Sequence, residues 1–295
     1  MDVKDMQVVE AQLISEEEPS PPQFIKIEVE LDLSLDRTQV SLWVANRDGS
    51  PKSDRAFATA VVWYYPDAHG WRTGWQAASH LVGSRINALW DATFDGNASA
   101  LSRQATYQLF ANVVDYDTRY QAMRRAALDS DALEATAEVV LDADRHGTWR
   151  RPPHWIDGTF QSAGLVMNSF GDAAAGTPAR DFFFITRGRR RLRLAEPLEA
   201  GVKYRNYVRI APVEGEPGAY AGDLYLLRDK AVVGLCEGIK FKRVPRALMP
   251  VMFARGGGGA NKGVAPRHPP STNVVARGIF PGQWHLLPKR RPRPP

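Results

Sequence analysis

From position 24 the chain alternates apolar and polar residues almost without fault: Phe-Ile-Lys-Ile-Glu-Val-Glu-Leu-Asp-Leu-Ser-Leu. Ile25, Ile27, Val29, Leu31, Leu33 and Leu35 fall on one side, and a period of two predicts a strand with one buried face. Asp36-Arg37-Thr38 turns the chain, and Val40, Leu42 and Val44 continue the same period on the return. Asn46-Arg47-Asp48-Gly49-Ser50-Pro51 is a second turn signal. A third strand is expected over 56–65, where Phe57, Thr59, Val61 and Trp63 alternate. Three sequential strands with short connections predict an antiparallel sheet.

The spacing then changes. Trp71, Trp75, Ala78, Val82, Ile86 and Leu89 recur at three and four, which predicts a helix over 71–90. A second helix is expected over 102–114, with Tyr107, Phe110 and Val114 on one face and Ser102 as its N-cap. Strands follow over 120–128 and 133–141. A buried helix is expected over 156–169, its face made of Ile156, Phe160, Ala163, Gly164 and Met167. Gly158, Ala163 and Gly164 are small enough to let a sheet close around it. Strands over 182–194, 203–212, 220–227 and 232–241 complete this half.

One helix followed by a long antiparallel sheet that can wrap it is the hotdog arrangement, so the fold class is α+β. The expected division is a partial N-terminal hotdog over 1–68, a helical connector over 69–100 and a C-terminal hotdog over 101–253. From Arg255-Gly256-Gly257-Gly258-Gly259 the composition becomes Gly-, Pro- and Arg-rich. A tail of this kind, 254–295, buries too little apolar surface to offset its ordering entropy and is expected to be disordered.

Composition narrows the function. Of the 295 residues 44% are hydrophobic, ordinary for a chain that buries a core. No run approaches ~18 apolar residues, so no membrane span is expected. Cys236 is the single cysteine, which excludes an internal disulfide and fits a reducing, cytoplasmic setting. The net charge of +5 is concentrated in the last residues and around Arg187, Arg189, Arg190, Arg191 and Arg193. The tail lacks interleaved aromatics, and no nucleic-acid module accompanies it, so nucleic-acid binding is not expected. One cysteine and scattered histidines match no metal-ligand spacing, and Gly256–Gly259 lacks the Lys-Ser/Thr of a phosphate loop.

Five stretches resemble the product-template, dehydratase-like domain of fungal non-reducing polyketide synthases. They are residues 101–117; Leu128-Asp129-Ser130 with residues 133–137; His154-Trp155-Ile156-Asp157 continuing through residues 163–168; Leu194-Ala195-Glu196-Pro197-Leu198 with residues 203–208; and residues 220–225 through 238–241 with Val244-Pro245-Arg246. All occur in the family's order at about its spacing and cover roughly residues 1–250. The resemblance implies a double hotdog whose first unit is truncated at its N-terminus, since Met1-Asp2-Val3 resembles the middle of that unit.

It also implies aldol cyclisation and aromatisation of a poly-β-keto chain. No cofactor is expected to bind directly. The substrate would arrive on the phosphopantetheine arm of an acyl carrier protein, and the expected partners are that protein or other synthase domains. A family histidine acts as general base and an aspartate orients it. The aspartate maps onto Asp157, and Gln161, four residues on, shares its helix face and is a candidate to hold the dyad or to bind a substrate oxygen. Taken alone, Asp157 reads equally as an acid near a helix N-terminus.

The histidine of a Gly-His-x-Val-x-Gly-like segment has no counterpart here, so full activity is expected to need a histidine from outside this chain. Thr186-Arg187-Gly188 stands where the family often has Asn-His-Gly. Thr186 is a candidate substrate contact that supplies one hydrogen bond rather than two. Arg187, Arg189, Arg190 and Arg191 are candidates for docking a carrier protein or its phosphate; the alternative is a solvated strand edge. Without its helix, the first sheet would show an apolar face to water. The second hotdog, the connector, a partner chain or a second copy in a homodimer are the candidates to cover it. A non-catalytic scaffold or relic that binds a carrier protein is the alternative function.

Overall fold

The computed structural model describes residues 1–9, 24–64, 67–143, 149, 151–169 and 181–248. It also describes the backbone of two paired three-residue strands, Val274–Ala276 and Leu286–Pro288. The rest of the tail expected to be disordered lies outside the described residues.

The first strands are β1 (Asp2–Val8), β2 (Phe24–Asp32), β3 (Arg37–Ala45) and β4 (Ala58–Trp63). As expected, β2, β3 and β4 pair antiparallel in sequence order. The predicted turn falls slightly earlier, at residues 33–36, where Ser34 donates its N–H and Oγ–H to Asp32 Oδ1. Asp36 closes it at φ +48. The alternating pattern shows no sign of β1. Asp5 there has φ +49, and the register slips between Lys4 and Gln7, so this irregular strand carries no clean period of two.

The connector is α1 (Ala68–Phe94), longer at both ends than its apolar spacing predicts. Asp67 caps it by accepting the Gly70 N–H at 2.7 Å. After it come β5 (Ser99–Ser102), α2 (Arg103–Phe110), β6 (Met123–Asp129) and β7 (Glu134–Val140). Ser102 caps α2 through the Ala105 N–H, as expected. The expected buried helix is interrupted at Gln161 into α3 (Pro153–Phe160) and α4 (Ser162–Ser169). Four long strands follow: β8 (Phe182–Leu194), β9 (Lys203–Pro212), β10 (Ala219–Arg228) and β11 (Ala231–Pro245).

Eleven strands form one antiparallel sheet in the order β2-β3-β4-β1-β8-β11-β10-β9-β7-β6-β5. β1 joins its two halves by pairing with β4 on one side and β8 on the other. In the second half α4 packs against β7, β8 and β9 and against α2. Ala163, Leu165, Val166 and Met167 are buried in a core shared with Met123, Tyr204, Val208 and Leu224. Of the small residues expected to let the sheet close around the helix, two instead admit the loop at Ala122 and the Phe110 ring of α2. A Cβ on Gly158 would lie 2.7 Å from Ala122 Cβ, and one on Gly164 would lie 3.3 Å from the Phe110 ring. Both positions let the helices approach more closely than a side chain would allow.

α1 covers the other face of this second half. Trp75, Val82, Ile86 and Leu89 pack against Ala127, Tyr207, Leu227, Val232 and Leu235. Arg85 Nε donates to Glu134 Oε2 at 2.7 Å, and Ser79 Oγ accepts the Val232 N–H at 3.1 Å. The connector therefore does not cover the apolar face of β2. Ile25, Ile27, Val29 and Leu31 are 53%, 60%, 57% and 56% exposed, while Lys26 and Glu28 on the opposite side are only half-exposed. The alternation specified the strand correctly, but the face expected to be buried is the exposed one. Among the described residues no helix packs closely on the part of the sheet formed by β2, β3 and β4.

Candidate active site

Asp157 occupies the fifth position of α3, beyond its first turn, which carries no acid. A favourable interaction with the N-terminal dipole falls off within that turn, so dipole stabilisation does not explain the residue. Its carboxyl instead faces the junction of α2, α3 and the loop before β6. Gln161, at the break between the helices, donates from Nε2 to Asp157 Oδ2 at 2.8 Å and to the Tyr120 carbonyl at 2.9 Å. Its Oε1 accepts the Tyr107 hydroxyl at 2.8 Å. Tyr107 Oη in turn accepts the Met123 N–H at 3.1 Å. Asp157 and Gln161, expected on one helix face, are hydrogen-bonded to each other.

The surroundings are dry. Gln161 is 4% exposed, Tyr107 8% and Tyr116 4%. The rings of Tyr107 and Phe110 meet Tyr116 edge-on at 5.9 and 5.1 Å. Burial raises the Asp157 carboxyl to a pKa of about 6, opposed by the Gln161 hydrogen bond and the nearby Arg189 charge. Burial also pushes the phenols of Tyr107 and Tyr116 well up, with the Asp157 charge adding to both. A carboxyl with this affinity exchanges protons near neutral pH, as general acid–base work requires.

The other proposed site residues are dispersed. Thr186 lies on β8 opposite Phe241, beside a bulge, and makes no side-chain hydrogen bond to another described residue. Arg187 and Arg190 are exposed, but Arg189 is buried, its Nη2 3.3 Å from Met6 Sδ. Arg191 makes a two-pronged contact with Asp2 at 2.8 and 2.6 Å. The four arginines thus do not form one solvent-facing set. The strand's alternation and the crossing of β1 send Arg189 and Arg191 inward. Gly188, at φ +145, makes the crossing possible, since a Cβ there would lie 2.2 Å from the Met6 carbonyl oxygen.

His154 is buried against Tyr120, with ring centroids 5.9 Å apart, and next to Trp155. Among the described residues Asp157 has no histidine partner, its hydrogen bond going to Gln161. No group of three potential metal ligands occurs among these residues, and none of their helices is long and apolar enough to cross a membrane.

Two contributors escape sequence reasoning. The α2 periodicity marks Tyr107 as a core residue, although a buried Tyr hydroxyl demands a polar partner. Arg189 sits in a charged run that reads as surface.

The fold resembles solved dehydratase domains. One, from the CurH module of the curacin polyketide synthase, has a TM-score of 0.57 at 15% identity, covering 86% of this chain and 79% of that one. Another, an N-terminal dehydratase from the difficidin assembly line, has a TM-score of 0.56 at 14% identity, covering 88% and 82%. The chain therefore has the hotdog fold of these domains.

By sequence it belongs with the fungal non-reducing polyketide synthases. It is 50% identical over 273 residues to non-reducing polyketide synthase pkgA of Emericella nidulans, covering 86% of this chain. It is 41% identical over 297 residues to adaA of Aspergillus niger, covering 100% of this chain. It spans only 14% and 15% of those relatives' lengths. No protein-family model matches it.

Proposed function

We propose that the chain works within a polyketide synthase as a product-template-like domain, directing aldol cyclisation and aromatisation of a carrier-bound poly-β-keto chain. One observation carries this reading: the half-buried Asp157 carboxyl, held by Gln161 among buried side chains and raised to a pKa of about 6. In the proposed reaction a base removes a proton from the carbon between two carbonyls. The resulting carbanion attacks a carbonyl carbon further along the chain and forms the new carbon–carbon bond. The alkoxide takes up a proton, and loss of water aromatises the ring. Asp157 holds and charges the histidine base, which another part of the synthase supplies.

The substrate arrives on a phosphopantetheine arm. The exposed Arg187 and Arg190 are the proposed contacts for its acidic carrier protein, and Thr186 remains a candidate substrate contact. The proposed setting is cytoplasmic, in keeping with a single reduced cysteine. The test is turnover of a linear poly-β-keto mimic by the chain alone and by the chain combined with the rest of the synthase. Cyclised product only in the combination, lost with Asp157→Ala, is the expected result. Turnover by the isolated chain that is insensitive to Asp157→Ala would overturn the proposal.

The uncovered β2 face favours a second reading, a non-catalytic scaffold that binds a carrier protein. It predicts no turnover in any combination.

A further inference from the structure

The orientation of the Gln161 amide decides what the carboxyl of Asp157 meets. An amide has a donor end and an acceptor end, and a rotation of half a turn exchanges them. With Nε2 toward Asp157 and the Tyr120 carbonyl, both amide hydrogens have acceptors, at 2.8 and 2.9 Å. Reversed, the Gln161 oxygen would face a carboxylate oxygen and a carbonyl oxygen together. At its other end, Oε1 must be met by a donor. Tyr107 Oη is 2.8 Å away. That hydroxyl accepts the Met123 N–H at 3.1 Å, which leaves its single proton to donate, and Gln161 is nearer than the alternative Tyr120 carbonyl at 3.3 Å.

The chain of bonds therefore has one direction. It runs from the Met123 backbone N–H on β6 through the Tyr107 hydroxyl on α2 and the Gln161 amide to Asp157 Oδ2 on α3. Oδ1 has no hydrogen-bond partner among the described residues. All the linking groups are buried, where hydrogen bonds polarise one another and a missing partner is costly.

We propose that Tyr107 is a positioning residue: its hydroxyl locks the Gln161 amide with its N–H toward Asp157, so that one carboxylate oxygen is held and the other is left for the reacting partner. The functional part of this inference rests on the reading of Asp157 as the site's acid–base carboxyl. Its geometry does not. Other charged or titratable groups around Asp157 are Tyr116 after α2, whose hydroxyl also hydrogen-bonds to the Gln161 side chain and adds a second support to the amide, Tyr120, Arg189 on β8 and His154 on α3 itself, with Arg103 and Arg124 near Tyr107.

The experiment follows the Asp157 carboxyl through a pH titration by NMR of carboxyl-labelled protein, in the native chain, Tyr107→Phe and Phe110→Leu. Phe110 packs against Tyr107 but has no hydroxyl, so it controls for loosened packing. Tyr107→Phe is expected to tighten proton binding at Asp157 by about tenfold, one pKa unit, because the carboxylate loses an oriented donor. Phe110→Leu is expected to leave the midpoint in place. An unmoved midpoint in Tyr107→Phe, or equal shifts in both variants, would overturn the proposal.

Should Tyr107→Phe fail to fold, the native protein still decides. The two Gln161 side-chain amide protons should be distinct and slow to exchange, one of them tracking the carboxyl titration. Exchange at the rate of an exposed glutamine would sink the lock. These readouts do not involve turnover, so they stand or fall separately from the proposed cyclisation.

Discussion

Gln161 reaches back across the break between α3 and α4 to hold Asp157 Oδ2 at 2.8 Å, the separation of four residues placing both side chains on one face. Without the interruption the pair would be an ordinary helical contact. With it, Gln161 also reaches the Tyr120 carbonyl and Tyr107, tying two helices and a loop to a single carboxyl.

The raised Asp157 pKa has a stability cost with a definite sign. The folded state binds this proton more tightly, to about pH 6, than an unfolded aspartate of 3.8 does. Stability from this group is therefore full below the unfolded value and is lost as pH rises through about 6. At roughly 1.4 kcal/mol per pKa unit the loss is on the order of 2–3 kcal/mol. Asp157→Asn should thus raise the melting temperature at pH 8 and leave it nearly unchanged at pH 4. Calorimetry at the two pH values checks this; equal shifts would mean the carboxyl is not strained by burial.

Gly158→Ala should destabilise the fold. The added methyl meets Ala122 Cβ at 2.7 Å, between a helix and a loop that both face the core. Overpacking of this kind costs about 1–3 kcal/mol. Denaturant unfolding of the variant, with a paired Ala122→Gly substitution to restore the space, measures both the cost and its relief.

Removing Arg189 while keeping its bulk, as in Arg189→Met, should raise the Asp157 midpoint above its native value, because a nearby positive charge favours the ionised carboxyl. NMR titration of the carboxyl reads the shift directly. A lowered midpoint would show that the guanidinium does not act on this group.

Polar substitution on the open face of β2, Ile27→Thr with Val29→Thr, should leave unfolding free energy within about 0.5 kcal/mol of the parent, as surface changes usually do. It should also reduce binding of a hydrophobic dye and slow aggregation. A large loss of stability in the isolated chain would show that these side chains are packed.

Charge reversal at the exposed pair, Arg187→Glu with Arg190→Glu, should weaken carrier-protein binding and flatten its salt dependence. Arg191→Glu should instead destabilise the protein, because it strands Asp2, whose side chain is 5% exposed, against a like charge. Calorimetric titration and thermal melts separate the two effects.

Much of the fold was legible because periodicity is local. The alternation of β2 and β3, the three-and-four spacing of α1 and the Ser102 cap each announce an element without reference to the rest of the chain. What these patterns do not contain is the partner of each face. Ile25 to Leu31 specified a strand but not what would cover it, and α1 settled on the opposite half of the molecule. The site shows the same division. Asp157 and Gln161 were visible through their spacing and the family resemblance. Tyr107 joins them from another helix 54 positions away from Gln161, a juxtaposition only the tertiary fold creates. Arg189 was misread because an alternating strand hides half of any charged run.

β1 carries a consequence for synthesis. It is the seam that joins the two halves of the sheet, yet Asp2 finds Arg191 across a separation of 189 residues. At about 5–20 residues per second on the ribosome, the first strand emerges roughly ten to forty seconds before the strand it must join. Until then the two segments beside it, β4 and the β2–β3 hairpin, hang as a ribbon with an unfinished border. The second half, with its helices and half-buried carboxyl, thus sets the moment at which β1 to β4 can settle.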